Sequence, residues 1–213
     1  MRLSRVRPIL VALLLSFGLA SGCDNAAGPS PRANTRIVAF GDSLTVGIGT
    51  TEGNGFVPLL SQRLSINIIN AGRAGDTTGT ALPRLDDDVL DRDPDIVIVL
   101  LGGNDLLQGV PVQQRVNNIT TIVERIRASG ADVLLLGLGA GMLDAFEGAL
   151  PGLATRTGST LIPGILEGIF GVPSLMADAI HPNNAGHKIM ADRIEPALRA
   201  LVNAPALSAL QSN

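Results

Sequence analysis

Short apolar runs that alternate with longer amphipathic segments are the feature of this sequence that most constrains its fold. The clearest run is DIVIVLL at 95–101, which is apolar and β-branched, as a strand buried on both faces must be. We predict five strands, at 37–40, 66–69, 95–101, 133–136 and 160–162. The amphipathic segments predict helices at 55–64, 76–90, 112–128, 142–155 and 184–202. This order of elements indicates an α/β fold with a doubly wound parallel sheet.

Polar residues follow three of the predicted strands at the points where those strands end. The clusters are Gly41-Asp42-Ser43, Asn70-Ala71-Gly72 and Gly102-Gly103-Asn104. Because the carboxyl ends of parallel strands meet at one edge of a sheet, we expect the three clusters to lie close together. The backbone amides of Ser43 and Gly72 and the side chain of Asn104 are therefore candidates for the donors of an oxyanion hole.

A serine nucleophile needs a base, and the sequence offers only two histidines. His181 follows Asp178 by three residues in a predicted loop, a spacing that lets the carboxylate reach Nδ1 and leaves Nε2 for a serine hydroxyl. The alternative for this pair is a turn capped by the aspartate with a solvated histidine. His187 lies one turn into the last predicted helix, where we expect a surface or packing residue.

The same residues resemble the four sequence blocks of the GDSL (SGNH) hydrolase family. The blocks are Gly41-Asp42-Ser43-Leu44, Gly72, Gly102-Gly103-Asn104-Asp105 and Asp178-Ala179-Ile180-His181-Pro182, in the order of the family. The resemblance implies a flavodoxin-like three-layer αβα sandwich with strand order 2-1-3-4-5. It also implies a catalytic serine, histidine and aspartate at Ser43, His181 and Asp178. The chain is similar to the small bacterial branch that holds lysophospholipases, thioesterases and arylesterases.

The substrate is less constrained by the sequence than the reaction. We expect a serine esterase acting on acyl esters, and the apolar segment 140–176 is a candidate acyl pocket, with ordinary core packing as the alternative. Deacetylation of a cell-envelope carbohydrate is the main alternative activity. The chain has no Trp, no Tyr and five Phe, which disfavours stacking on sugars. A non-catalytic, lipid-tethered binding protein on the same fold is a further alternative.

Composition and spacing also argue against other classes of ligand. The net charge of −3 offers no basic field for nucleic acid. No cluster of His, Cys or Asp has the spacing of a metal site, so we expect no metal and no cofactor. The loop at 41–50 is an alternative cradle for the phosphate of a flavin, but the aromatic residues that usually stack on a flavin are scarce.

The first residues have the pattern of an export signal, with three arginines before an apolar run at 9–20. Residues 19–23, LASGC, resemble the bacterial lipoprotein signal, in which the cysteine becomes the lipidated first residue. We therefore predict a signal at 1–22, lipidation of Cys23 and a flexible tether at 23–35. The alternative is an ordinary cleaved leader in which Cys23 is incidental. The hydrolase domain is predicted at 36–204 and a tail at 205–213. The expected location is the periplasm or cell envelope, with the membrane reached through the lipid anchor.

Overall fold

A five-stranded parallel sheet forms the centre of the protein. The computed structural model describes residues 35–139 and 145–204, and the predicted signal, Cys23, most of the tether and the tail lie outside this range. The strands are β1 (Ile37–Gly41), β2 (Ile68–Gly72), β3 (Ile96–Leu100), β4 (Asp132–Leu136) and β5 (Thr160–Ile162). They are hydrogen-bonded in the order β2-β1-β3-β4-β5, and every pair is parallel. The predicted doubly wound fold and its strand order are confirmed.

Helices cover both faces of this sheet. The α-helices are α1 (Ser43–Val46), α2 (Phe56–Leu64), α3 (Thr78–Ala81), α4 (Leu85–Asp88), α5 (Gly103–Leu107), α6 (Val112–Ala128), α7 (Ala145–Thr157) and α8 (Asn184–Asn203). Short 3-10 helices lie at Leu82–Arg84, Leu90–Arg92 and Pro173–Leu175. Among the described residues, no helix is both long enough and apolar enough to cross a membrane.

The core lies in two layers, one on each side of the sheet. Ile37 and Ala39 of β1 face a layer built with α2 and α8, whereas Val38 and Phe40 face a layer built with α6 and α7. All four side chains are fully buried, so β1 has the uninterrupted apolar sequence of a strand covered on both faces. Removing this apolar surface from water is the main favourable contribution to folding.

The segment predicted as one helix at 76–90 is broken into shorter pieces. Thr77 caps α3 through a reciprocal capping box with Thr80, but the helix ends at Ala81. Pro83 follows within a 3-10 turn, where its missing N–H and fixed φ disfavour a continuous α-helix. In α8, by contrast, Pro196 is accommodated within a helix that runs on to Asn203.

Candidate active site

Ser43 is the first residue of α1, directly after the carboxyl end of β1. Asp42 is the N-cap of this helix, and its Oδ1 accepts a hydrogen bond of 3.0 Å from the Leu44 N–H. Gly41 makes the sharp exit from the strand possible, since a Cβ there would overlap the Leu100 carbonyl oxygen and the Thr45 side chain. The serine is therefore held at the edge of the sheet, with its amide in the first turn of a helix, where it has no intrahelical acceptor.

The loop before α8 brings Asp178 and His181 to Ser43. Ser43 Oγ and His181 Nε2 lie 3.0 Å apart, and His181 Nδ1 lies 2.8 Å from Asp178 Oδ2. The loop is closed by the hydrogen bond from Ala177 N–H to the His181 carbonyl oxygen and by a bridge between Met176 and Pro182. The structure thus places the three predicted residues in a continuous hydrogen-bonded chain.

The other oxygen of Asp178 fixes the orientation of its carboxylate. Oδ1 accepts hydrogen bonds of 2.8 Å from the backbone N–H groups of Ile180 and His181. The His181 side chain lowers the pKa of Asp178 to about 2, and these two backbone donors add to the shift. Because Asp178 is ionised at neutral pH, it favours the tautomer of His181 that carries its proton on Nδ1. The lone pair of Nε2 then faces the serine hydroxyl.

Asn104 reaches the same place from α5, after the carboxyl end of β3. Its Nδ2 donates a hydrogen bond of 2.9 Å to the Asp76 carbonyl oxygen. A side-chain amide has two N–H donors, so this bond orients the group and leaves the second donor available. Asn104, Ser43 and His181 all line one cavity.

The structure differs from expectation at Gly72. Its N–H donates to Asn70 Oδ1 at 3.0 Å, and Asn70 Nδ2 in turn donates to the Thr45 carbonyl oxygen. A Cβ at Gly72 would approach Val46 N to 2.6 Å, so this glycine allows β2 to pack closely against α1. Its amide is therefore engaged within the fold and is not a free donor, contrary to the expectation from sequence.

A second glycine, missed by the sequence analysis, lies three residues later in a tight turn. Asp76 N–H donates to the Arg73 carbonyl oxygen, and Gly75 occupies the third position of the turn with φ +83°. This is the conformation in which a type II turn favours glycine. Within the described residues the Gly75 N–H has no hydrogen-bond acceptor. The hydrogen bond between Asn104 and the Asp76 carbonyl holds this turn next to Asn104.

Asp42 is the buried acid of the site, with 2% of its surface exposed. Burial raises the pKa of Asp42 to about 7, and the nearby Asp76 and Asp105 carboxylates add to this effect. The Leu44 N–H and the His181 side chain oppose it. Its Oδ2 would lie 3.8 Å from a Cβ at Gly103, and Asp42, Ser43 and Gly103 all line the same cavity.

His187 is separate from this arrangement. It is fully buried, its Nδ1 accepts a hydrogen bond of 3.2 Å from Phe56 N–H, and its ring stacks on Phe56. Of the two roles expected for this residue, packing is the one that the structure shows.

The cavity at Ser43 is small and mostly apolar. Its volume is about 50 Å³, and its apolar lining residues are Leu44, Leu107, Leu138, Leu166, Phe170 and Ile180. In the predicted pocket segment, Leu166 and Phe170 line the cavity, whereas Ile165 and Ile169 belong to the core, of which Leu166 is also a part. Residues 140–144 of that segment lie outside the described part of the chain. Among the residues that are described, no group of three or more His, Cys, Asp or Glu side chains is placed to hold a metal ion.

Comparison with known proteins identifies the family. Residues 39–189 match the GDSL-like Lipase/Acylhydrolase family. Esterase TesA of Pseudomonas aeruginosa is 33% identical over 78% of this chain and 89% of its own length. Thioesterase 1/protease 1/lysophospholipase L1 of Escherichia coli K12 is 30% identical over 92% of this chain and 93% of its own. A crystal structure of TesA superposes with a TM-score of 0.74, at 33% identity, over 78% of this chain and 99% of that one. The chain therefore belongs to the GDSL-like lipase/acylhydrolase family, in its small bacterial branch, and is a hydrolase that acts on ester bonds.

Proposed function

We propose that the protein hydrolyses carboxylic esters through an acyl-enzyme on Ser43, with His181 as the general base and Asp178 as the group that orients it. The observation that carries this proposal is the 3.0 Å separation of Ser43 Oγ and His181 Nε2, with Asp178 on the opposite ring nitrogen. This separation is within the range in which a base can abstract a hydroxyl proton directly.

The reaction then proceeds in two acyl transfers. As Ser43 Oγ attacks the ester carbonyl carbon, its proton moves to His181 Nε2 and the carbonyl oxygen becomes an oxyanion. Collapse of the tetrahedral intermediate breaks the bond to the alcohol oxygen, which takes the proton from His181. A water molecule then gives a proton to His181 Nε2 and attacks the acyl carbon. Collapse of the second tetrahedral intermediate breaks the bond between that carbon and Ser43 Oγ, which takes the proton from His181 as the carboxylic acid leaves.

Three donors are proposed to stabilise the oxyanion. They are the Ser43 N–H, the second N–H of Asn104 Nδ2 and the Gly75 N–H, which takes the place we had expected for Gly72. The first belongs to the opening turn of a helix, and the other two have no assigned acceptor among the described residues. Loss of one such donor typically costs about 3 kcal/mol of transition-state stabilisation.

We propose an apolar acyl group as the part of the substrate that the cavity binds. Side chains of leucine, isoleucine and phenylalanine dominate the lining, so a hydrocarbon gains by leaving water there whereas a sugar does not. A cavity of about 50 Å³ holds only the first carbons of the acyl chain. A longer chain, as in a thioester or a lysophospholipid, would continue across Leu107, Phe170 and Ile180, which are 63%, 36% and 38% exposed at the mouth.

Hydrolysis of p-nitrophenyl esters from acetyl to palmitoyl by the purified protein tests the mechanism and the acyl preference together. Ser43→Ala and His181→Ala are expected to lose nearly all activity, because either change removes the chemistry of the first step. Ser129→Ala is the matched control, since its hydroxyl donates to the Ile126 carbonyl oxygen and has no other hydrogen-bond partner in the described part of the chain. Normal turnover by Ser43→Ala would refute the mechanism, and activity restricted to acetylated glycans would favour the carbohydrate esterase.

We also propose that the chain is exported and anchored to the cell envelope by lipid on Cys23. The support is the sequence at 19–23 and the absence of any other cysteine. Growth with labelled palmitate, followed by membrane fractionation, is expected to label the wild type but not Cys23→Ala. An unlabelled wild-type protein recovered in the soluble fraction would contradict the anchor and leave the proposed reaction unaffected.

A further inference from the structure

Arg84 is a buried cation that contacts residues next to the proposed oxyanion donors. It ends the 3-10 helix Leu82–Arg84, and only 7% of its surface is exposed. Its guanidinium lies 4.4 Å from the centre of the Phe40 ring, at the carboxyl end of β1. An arginine is buried in this way only where its charge and its donors are satisfied.

The guanidinium is satisfied by backbone and carboxylate oxygens at the site edge of the sheet. Nη2 donates to the Gly41 carbonyl oxygen at 3.0 Å, and Nη1 donates to the Ala71 carbonyl oxygen at 2.9 Å. Nε donates to Asp76 Oδ2 at 2.6 Å, and Nη1 also reaches Asp88 Oδ2 at 2.8 Å. The exits of β1 and β2 are thus joined through one rigid, planar group.

Two of these contacts lead directly to the proposed donors. The Gly41 carbonyl belongs to the Gly41–Asp42 peptide, which immediately precedes the peptide that carries the Ser43 N–H, so its position affects the direction of that N–H. Asp76 ends the turn that carries the Gly75 N–H, and its own carbonyl oxygen orients Asn104. Through the Gly41 carbonyl and the Asp76 carboxylate, Arg84 therefore contacts the residues that position all three proposed donors.

A lysine could not replace this arrangement. Its ammonium is a compact point charge, whereas the guanidinium presents five donors in a fixed fork that spans acceptors on two strands and a turn. Asp76 is itself 5% exposed, and its Oδ1 accepts a hydrogen bond from Thr80 Oγ1. Both oxygens of the Asp76 carboxylate are therefore hydrogen-bonded, Oδ1 to Thr80 and Oδ2 to Arg84.

We propose that Arg84 is a positioning residue that aligns the oxyanion donors without touching the substrate. The inference rests on the function proposed above. Misplacement of catalytic groups by about 1 Å can cost about 100-fold in rate. Because the donors act on the oxyanion and not on the ground-state ester, the loss should fall on kcat while KM changes little.

Arg127 provides a matched control at the other end of the sheet. Its Nε and Nη1 donate to the carbonyl oxygens of Thr157 and Ala131, and Nη1 pairs with Asp132 at 2.8 Å. Asp132 is the first residue of β4, so this guanidinium makes the same kinds of contact at the edge away from Ser43. Replacing Arg127 should therefore disturb the fold much as replacing Arg84 does, but without disturbing the site.

The experiment compares Arg84→Lys with Arg127→Lys in the full-length protein. It measures kcat and KM on p-nitrophenyl butyrate, together with the affinity for an alkyl boronic acid, which forms a tetrahedral adduct with a nucleophilic serine. For Arg84→Lys we expect a fall in kcat of about 10- to 100-fold, a KM within twofold of wild type and a matching loss of boronate affinity. Arg127→Lys is expected to keep both kcat and boronate affinity, whatever its unfolding midpoint.

The outcomes separate this proposal from the one on which it rests. Normal turnover by Ser43→Ala would refute the serine mechanism. An inactive Ser43→Ala together with a folded Arg84→Lys of normal kcat and boronate affinity would refute the role of Arg84 alone. If Arg84→Lys does not fold, Asp76→Asn is used, since it keeps an acceptor for Arg84 but removes the charge that holds it. An unchanged kcat in that folded variant would equally overturn the proposal.

Discussion

His187 leads to a quantitative prediction for how the stability of this protein depends on pH. Its Nδ1 accepts a hydrogen bond from Phe56 N–H, so the neutral ring must carry its proton on Nε2. That nitrogen is buried without a partner in hydrogen-bonding geometry among the described residues. Burial lowers the pKa of His187 from 6.5 to about 4, while the backbone of Ile48 offsets part of this shift. Protonation would also place two hydrogens between Nδ1 and Phe56 N.

The sign of the effect follows from which state binds more protons. Between pH 6.5 and 4 the unfolded chain protonates His187 while the folded protein does not, so the free energy of unfolding falls as the pH falls. With a shift from 6.5 to about 4, the loss is about 3 kcal/mol at pH 4 relative to neutral pH. This is a large fraction of the stability of an ordinary domain.

Asp42 opposes this loss over nearly the same range of pH. Its pKa is raised from 3.8 to about 7, so the folded protein keeps a proton that the unfolded chain has lost. Stability from this group is therefore greatest at low pH and falls by about 4 kcal/mol between pH 4 and pH 7.5. The effects of Asp42 and His187 have opposite signs and similar sizes, so together they leave only a weak dependence on pH in the wild type.

His187→Asn separates the two effects. The asparagine Oδ1 can accept the Phe56 hydrogen bond but cannot be protonated in this range. The free energy of unfolding of each protein is measured by urea titration at pH 4 and at pH 7.5. We expect its value at pH 4, taken relative to pH 7.5, to be about 3 kcal/mol higher in His187→Asn than in the wild type. Any packing cost of the substitution cancels, because each protein is compared with itself. Asp42→Asn should shift the same difference in the opposite direction, and a shift below about 1 kcal/mol for His187→Asn would refute the reasoning.

Three further substitutions test the site and its supports. Asn104→Ala should lower kcat by about 100- to 1,000-fold, as expected for the loss of one oxyanion donor, and should keep an unfolding midpoint near that of wild type. Near-normal turnover would show that Asn104 is not a donor of the oxyanion hole. Gly41→Ala should destabilise the fold by about 1–3 kcal/mol or more in urea titration, because the Cβ of the alanine would overlap the Leu100 carbonyl oxygen and Thr45. An unchanged unfolding midpoint would contradict that geometry. Leu107→Ser should lower kcat/KM about 10-fold for octanoyl esters but little for acetyl esters, and equal losses on both would argue against an acyl path over Leu107.

The fold could be predicted because its strongest signals are local. The run at 95–101 becomes β3, whose five residues are all buried, since no strand exposed on one face would keep such a sequence. β1 likewise consists of an uninterrupted run of buried residues. A shorter run at 66–69 was placed two residues early, because Ile66 packs at the margin of the core while the strand itself begins at Ile68. Apolar character alone does not fix where hydrogen bonding between strands starts.

The placement of the side chains at the site was also predictable in part. Asp178 and His181 are close in sequence, so a single tight turn determines their geometry relative to each other. Gly72 and Gly75 are a harder case, because both are glycines in one exit from β2 and the residue type alone does not tell which amide is free. The distinguishing feature is the turn from Arg73 to Asp76, in which glycine at the third position is favoured. Reading that turn type from the sequence would have pointed to Gly75.

Arg84 could not have been found from the sequence pattern, for a different reason. Its acceptors include the carbonyl oxygens of Gly41 and Ala71, which are 43 and 13 residues away and are present whatever side chains those residues carry. A pairing between a side chain and backbone leaves no complementary residue type to recognise. The same holds for the Asp76 carbonyl that orients Asn104. The sequence specifies the groups proposed to react, whereas the groups that align them are largely backbone atoms, and only the folded chain brings those into position.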